Sequence, residues 1–161
     1  WLARFPNEDD SIHLKQFPQI PTIWENDKLA EKWSRIREIR RVVTGALEIE
    51  RAEKRIGSSL QAAPTVYVTK EYIDAMVGLD LAEITITSSA KLHEGEAPTG
   101  AFTIEDVIGV GVIPQIAEGN KCIRCFKVLS EVGTIADHTD VCRRCAVATD
   151  QFNLKNGNLA P

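Results

Sequence analysis

The sequence predicts an α+β chain in three parts: a long amphipathic helix, a small α+β layer and a C-terminal module built on four cysteines. Three observations predict this order. Apolar residues recur at three- and four-residue steps between residues 28 and 56, which is the period of an amphipathic helix. Short runs of β-branched residues at two-residue steps follow, and these are typical of strands. All four cysteines then lie between residues 122 and 145.

Length and charge exclude several classes of protein. The chain has 161 residues, of which 43% are hydrophobic and 26% charged, close to the usual values for globular proteins. No run approaches the roughly 18 apolar residues of a membrane-spanning helix, so we expect a soluble chain without a membrane partner. The clustering of the four cysteines favours a reducing compartment, which we expect to be the cytoplasm. The formal net charge of −4 argues against coating nucleic acid by bulk charge alone. Because the chain opens without an initiator Met, we expect an excised piece of a longer protein.

Prolines shape the start of the chain. Pro6, Pro18 and Pro21 predict an extended lead-in over the first 26 residues, because proline removes a backbone donor and disfavours helix in the preceding residue. Asn26 or Asp27 can then cap the long helix.

The long helix is expected over Lys28–Ile56, where Gly57 would take the left-handed position after its last turn. Gly45 lies inside it and suggests that another helix approaches closely. Trp33 falls on the apolar stripe, so we expect Trp33 and Trp24 to belong to the core.

The middle of the chain predicts two strands, Thr65–Thr69 and Ala82–Ser88, with a short helix over Thr69–Val77 capped by Thr69. A polar loop with glycine and proline follows, and Val107–Ile113 predicts a third strand. Residues 150–161 are expected to form a loose tail.

Two C-x2-C pairs separated by sixteen residues form the strongest motif of the sequence. Their spacing is typical of a zinc site, with Cys122, Cys125, Cys142 and Cys145 as ligands. Four thiolates close a tetrahedron and leave no position for water or substrate, so the metal would be structural. A segment of roughly 30 residues buries too little apolar surface to fold alone, and metal binding would stabilise it. Two disulfides, a redox pair or an iron–sulfur cluster are the alternatives.

Cations are concentrated in two places. Residues 27–56 carry nine Lys and Arg against six acidic residues, whereas residues 64–113 carry two against eight and should repel phosphate. The candidate contacts on the long helix lie within roughly 80° of one another at about 100° per residue. They are Arg37, Arg41, Arg51 and Arg55. The candidates beside the cysteines are Arg124, Lys127, Arg143 and Arg144. The alternatives are a solvated helix flank with ion pairs, and cations that merely offset the charge of the thiolates.

Catalysis within this chain is not expected. None of His13, His93 and His138 has a nucleophile or carboxylate partner at motif spacing, and no phosphate-binding loop or nucleophile elbow occurs. Phe126, beside a cysteine, is the candidate for stacking on a base.

Three segments resemble the C-terminal end of the bacterial isoleucyl-tRNA synthetases, which are class I aminoacyl-tRNA synthetases. They are SIHLKQFP (Ser11–Pro18), WSRIREIRRVVTGALEIERAEKRIGSSLQA (Trp33–Ala62) and KCIRCFKVLSEVGTIADHTDVCRRC (Lys121–Cys145). The resemblance implies the C-terminal part of an anticodon-binding helical domain over residues 1–63, with the long helix in its bundle. A small connecting domain over 64–114, a zinc finger over 115–150 and a tail over 151–161 would follow.

The resemblance also implies partners and cofactors. The four cysteines would hold one structural Zn²⁺, and the partners would be isoleucine-specific tRNA and the upstream catalytic and editing domains. ATP would be used only in the catalytic domain, because this chain contains neither H-x-G-H nor K-M-S-K-S. It should therefore neither activate isoleucine nor edit valine by itself.

Two other functions fit parts of the sequence. The cysteine spacing also resembles the C-terminal finger of the formamidopyrimidine-DNA glycosylases, although an N-terminal Pro followed by Glu is absent. A zinc-stabilised brace that binds no nucleic acid is the third interpretation.

Overall fold

The computed structural model describes residues 3, 4, 6, 11–155 and 157. The chain divides into two compact units, Trp1–Ala30 and Glu31–Pro161. In the first unit, single turns of 3-10 helix at Ile12–Leu14 and Thr22–Trp24 interrupt an otherwise extended lead-in. Residues 1, 2, 5 and 7–10 of the predicted lead-in lie outside the described residues.

The long helix, α1, spans Asp27–Ala52. Asn26, one of the two predicted caps, precedes it, and its Oδ1 accepts the backbone N–H of Leu29 at 3.0 Å. The predictions for the two tryptophans are wrong: Trp24 is 71% and Trp33 37% exposed. The buried stripe of the helix starts at Ile36, one turn after Trp33, and continues to Leu47.

The end of α1 differs from the prediction. Lys54, not Gly57, takes the left-handed conformation, with φ of 60°. The N–H of Lys54 donates to the carbonyl of Arg51 at 3.0 Å, and the N–H of Arg55 donates to the carbonyl of Glu50 at 2.9 Å. These two bonds form a Schellman motif, which caps the last carbonyls without a glycine. The Arg55 guanidinium also donates two hydrogen bonds to the Glu50 carboxylate, at 2.5 and 2.6 Å.

A four-stranded sheet packs on α1. After a 3-10 turn at Ser59–Gln61, the elements run β1 Thr65–Val68, α2 Lys70–Met76, α3 Leu81–Thr85, β2 Lys91–Glu94, β3 Phe102–Ile104 and β4 Val107–Ile113. The strand order is β2-β1-β4-β3, with β1 and β2 parallel and the other pairs antiparallel. Valines of β1 and β4 join the α1 stripe in one hydrophobic core. The predictions for β1, α2 and β4 are confirmed, except that the Thr69 side chain precedes α2 without making a cap hydrogen bond.

The predicted strand Ala82–Ser88 is wrong, because most of it forms α3. Asp80 Oδ1 accepts the N–H of Ala82 at 2.8 Å and starts the helix. Ile86, with φ of 56°, ends it. Leu81 and Thr85 are buried at helical spacing, and the Thr85 hydroxyl bonds to the Leu81 carbonyl at 2.8 Å. The cap and the burial of this face outweigh the strand preference of the β-branched residues.

Two strands were not predicted, since β2 and β3 lie in the expected polar loop. Both are edge strands, and β2 is mostly polar and exposed, so it lacks the apolar alternation of a buried strand. The expectation of a second helix against Gly45 is also wrong. A Cβ there would lie 2.9 Å from the ring of Phe102 on β3.

The four-cysteine module follows, with strands β5 Asn120–Lys121 and β6 Val128–Leu129 and helix α4 Arg143–Lys155. Residues 150–155 of the expected loose tail are therefore helical, and residues 156 and 158–161 lie outside the described part of the chain. None of the helices in the described ranges combines the length and apolar character that a bilayer span requires.

Candidate metal centre

The two C-x2-C pairs meet in one cluster. The four Sγ atoms of Cys122, Cys125, Cys142 and Cys145 all lie within 4.8 Å of one another. All four cysteines are free, which the disulfide alternative does not predict. Three of them are buried and Cys125 is partly buried. The cluster offers a single metal ion four sulfur ligands.

Each pair is placed by a different element. Cys122 and Cys125 lie in the turn between β5 and β6, where the N–H of Phe126 bonds to the Cys122 carbonyl at 2.9 Å and Phe126 takes φ of 64°. Cys142 and Cys145 lie at the start of α4, where the N–H of Ala146 bonds to the Cys142 carbonyl at 2.9 Å. The hairpin and the first helical turn thus each present two thiols to the same point.

Backbone N–H groups aim at the sulfurs. Cys122 Sγ accepts the N–H of Cys125 at 3.5 Å and that of Cys142 at 3.4 Å. Burial opposes ionisation of Cys122, but these N–H groups and that of Arg124 outweigh it and lower the pKa of the thiol to about 6. Burial raises the pKa of Cys142 to about 12. A metal ion at the cluster would bind both cysteines as thiolates, and the N–H groups on Cys122 Sγ favour that form.

The module is fastened to the sheet-and-helix core by backbone bonds. Ala63 donates to the Gln115 carbonyl at 2.7 Å, and Ala117 donates to the Gln61 carbonyl at 2.8 Å. Ser88 adds a side-chain link that the sequence did not reveal. Its hydroxyl donates to the Leu60 carbonyl at 2.5 Å and accepts the N–H of Val128 at 2.6 Å.

The predicted cations beside the cysteines are all engaged with other groups. Glu83 on α3 accepts from Lys127 at 2.9 Å and from Arg144 at 3.4 Å. The bond from Lys127 is the main cause that lowers the pKa of the Glu83 carboxyl. Arg143 lies 3.9 Å from Glu131, and Arg124 donates to Cys145 Sγ at 3.6 Å. The sequence did not predict Glu83 as the partner of these cations, because Glu83 lies on a segment predicted as a strand.

The four arginines predicted as RNA contacts on α1 do not share one set of partners. Arg41 pairs with Asp106, in the turn between β3 and β4, at 2.7 Å. Arg51 pairs with Glu48, and Arg55 pairs with Glu50 and Glu53. Arg37 has no ion pair among the residues that the structure describes. Three of the four side chains are thus ion-paired, but none through the i,i+4 pairs of the solvated-flank alternative, and the partner of Arg41 lies outside the helix.

The remaining sequence candidates have other surroundings. Phe126 is 52% exposed, and Lys121 Nζ lies 5.0 Å from the centre of its ring. His138 Nε2 is 2.8 Å from Asp150 Oδ1 beside a cavity of about 340 Å³. His93 stacks on Tyr67 with ring centres 5.5 Å apart. The backbone N–H of His13 donates to the hydroxyl of Ser11, two residues earlier. None of the three histidines belongs to the sulfur cluster.

Comparison with known proteins shows which proteins the chain is similar to. No family model matches it. It is 49% identical over 155 residues to an isoleucine–tRNA ligase of Bartonella henselae and 51% identical over 149 residues to one of Brucella abortus biovar 1. An isoleucine–tRNA ligase of Agrobacterium fabrum is 47% identical over 149 residues. The chain is homologous to a C-terminal segment of the bacterial isoleucine–tRNA ligases.

These matches cover 92–96% of the chain but only 15–16% of each relative. The chain thus spans about one sixth of the length of the isoleucine–tRNA ligases that it matches. Because the similarity extends far beyond the cysteines, it favours the ligase family over the formamidopyrimidine-DNA glycosylases.

Proposed function

We propose that this chain is a tRNA-binding segment of an isoleucine–tRNA ligase and that one structural Zn²⁺ holds its cysteine module. The observation that carries the proposal is the convergence of four thiols on one point in a chain about half identical to such ligases. The whole protein would join isoleucine to its tRNA with ATP, using catalytic and editing domains outside this chain. The segment itself would supply RNA contacts and no chemistry.

The donor set supports zinc in a structural role. Four thiolates complete a tetrahedral shell, so no ligand position remains for a reacting water. A zinc tetrathiolate centre carries a formal charge of −2, which the N–H groups on Cys122 and the guanidinium of Arg124 would offset. Iron accepts the same ligands, so metal analysis of the purified chain is the direct check.

The RNA contacts would come from the cations with the most exposed side chains. Arg143 is 78% and Arg144 63% exposed, whereas Lys127 is only 16% exposed and is better suited to position its neighbours. The turn that carries Phe126 would offer an aromatic ring to an unpaired base, since single-stranded RNA is read by stacking and by base edges. We propose that α1 belongs to a helical anticodon-binding domain, in which Arg37 would be a ready phosphate contact.

A structural brace is the second candidate. It is favoured by the engagement of seven of the eight candidate cations with a carboxylate or a cysteine sulfur among the described residues. Each of these pairs would have to open, or to share its cation, before phosphate could bind.

The salt dependence of binding separates the two candidates. Arg143→Ala with Arg144→Ala should weaken binding to an isoleucine-tRNA anticodon stem-loop and flatten the slope of log affinity against log salt. Each lost phosphate contact removes about 0.7–0.9 from the slope. A double variant with Lys70→Ala and Lys91→Ala, in the acidic part of the chain, removes the same charge and serves as the control. An unchanged slope in the arginine variant would favour the brace.

A further inference from the structure

Glu83 links the core to the cysteine module, two parts of the chain that lie far apart in the sequence. It lies on α3 of the core, and its Oε1 accepts from Lys127 and Arg144 of the cysteine module. Lys127 lies two residues after Cys125, and Arg144 lies directly before Cys145. One carboxylate therefore pairs with two of the four cations beside the cysteines that are predicted to contact RNA.

The two contacts of Glu83 differ in strength and exposure. The bond from Lys127 is 2.9 Å long, and the lysine side chain is only 16% exposed. The contact with Arg144 is 3.4 Å long, and that side chain is 63% exposed. Lys127 thus anchors the carboxylate. Arg144 also bonds to Cys125, which with Glu83 raises the pKa of its guanidinium, and its exposed side chain lies where an incoming anion reaches it. A carboxylate and a phosphate oxygen present the same kind of acceptor to a guanidinium.

We propose that Glu83 masks Arg144 as an internal substitute for phosphate, so that RNA engages this face of the cysteine module only by displacing a carboxylate. The inference rests on the proposed tRNA binding. An RNA phosphate that takes the place of Glu83 exchanges one anion for another, so the net attraction is small. RNA that contacts the module through its phosphates alone then binds weakly, and RNA that also makes base contacts binds more tightly.

The test compares two variants of equal net charge. Glu83→Gln removes the charge and keeps an oxygen that can accept from Lys127. Glu118→Gln is the matched control, since Glu118 is exposed and has no ion pair in the described part of the chain. Both are measured in the zinc-loaded chain against the anticodon stem-loop and against a single-stranded RNA of unrelated sequence. Glu83→Ala is a second variant, and zinc content with thermal unfolding verifies that each is folded.

The mask predicts that Glu83→Gln raises affinity for both RNAs several-fold over Glu118→Gln. The salt slope should steepen by up to about 0.7, the value of one added single-strand phosphate contact. Adding Arg144→Ala should abolish the gain. Equal affinities for the two Gln variants would overturn the proposal, because bulk charge would then explain the effect. Weaker binding by a folded, zinc-loaded Glu83→Gln variant would also overturn it and leave Glu83 as a docking residue.

Retention on phosphocellulose separates this inference from the proposed function. If Glu83→Gln elutes at higher salt than Glu118→Gln, and Arg144→Ala reverses the shift, the mask holds even when the wild-type chain binds no stem-loop. If the wild-type chain binds the stem-loop but the two Gln variants behave alike on both supports, the mask is wrong and the tRNA proposal stands.

Discussion

Ser88 and Val128 are joined by a 2.6 Å hydrogen bond from the backbone N–H of Val128 to the Ser88 hydroxyl. Ser88 is 4% exposed and donates its own proton to the Leu60 carbonyl at 2.5 Å. One buried hydroxyl thus connects the core, through Leu60, with the strand that follows Cys125. This connection adds to the backbone bonds of Ala63 and Ala117 that link the cysteine module to the core.

Ser88→Ala should therefore loosen the module. The change leaves the Val128 N–H and the Leu60 carbonyl without this partner, and a buried unsatisfied group costs about 1–3 kcal/mol. Urea unfolding of the zinc-loaded chain measures the loss. Ser89→Ala is the matched control because Ser89 is exposed. Equal stability of the two variants would show that the backbone bonds of Ala63 and Ala117 hold the module unaided.

Metal removal should unfold the module and spare the core. The buried residues around the sulfurs form a small cluster of their own, whereas the α1 stripe and the sheet share a larger one. A chelator, or Cys142→Ala, should increase amide hydrogen exchange across residues 120–150 by orders of magnitude. Exchange on β1 and β4 should change little. Loss of protection in both regions would mean that the core itself depends on the metal.

Gly45→Ala tests the contact between α1 and β3. The added Cβ would lie 2.9 Å from the Phe102 ring, and overpacking of this kind costs about 1–3 kcal/mol. Replacing a helical glycine by alanine returns roughly 1 kcal/mol, so we expect a net loss of up to about 2 kcal/mol. Thermal unfolding checks the value. Phe102→Leu in the same chain should recover part of the loss, and failure to do so would place the strain elsewhere.

Tyr72 should make stability depend on alkaline pH. Burial, assisted by the bond of its hydroxyl to Glu38 at 2.8 Å, raises the pKa of Tyr72 from 10.0 to about 12. The folded state thus favours the neutral phenol. Its contribution is fully present below about pH 10 and is lost as pH rises through about 12. Tyr72→Phe should lower stability at neutral pH and decline less between pH 10 and 12. Parallel curves for the two proteins would contradict the shift.

The sequence predicts the elements whose signal is local. The apolar period predicts α1, the valines predict β1 and β4, and the cysteine spacing predicts the sulfur cluster. In α3, the Asp80 cap and burial of one face override the strand preference of its β-branched residues. Edge strand β2 carries no apolar alternation, so its pairing with β1 depends on the tertiary fold.

Partners of the candidate cations could not be read from the sequence for a different reason. Helical angles place Arg41 beside Arg37, but the partner of Arg41 is Asp106, which approaches from the sheet. Glu83 meets Lys127 and Arg144 across 44 and 61 residues of sequence. Such ion pairs follow from how the elements pack, and a single sequence contains no periodic signal for them.

We propose that this segment recognises RNA through a face whose shape a bound metal ion would maintain. The most direct measurement is binding of the 161-residue chain to an isoleucine-tRNA anticodon stem-loop and to a non-cognate stem-loop, before and after chelation. We expect tighter binding of the cognate stem-loop and loss of that preference when the metal is removed. Binding that is absent, or indifferent to both sequence and metal, would mean that the segment is a brace and does not recognise RNA.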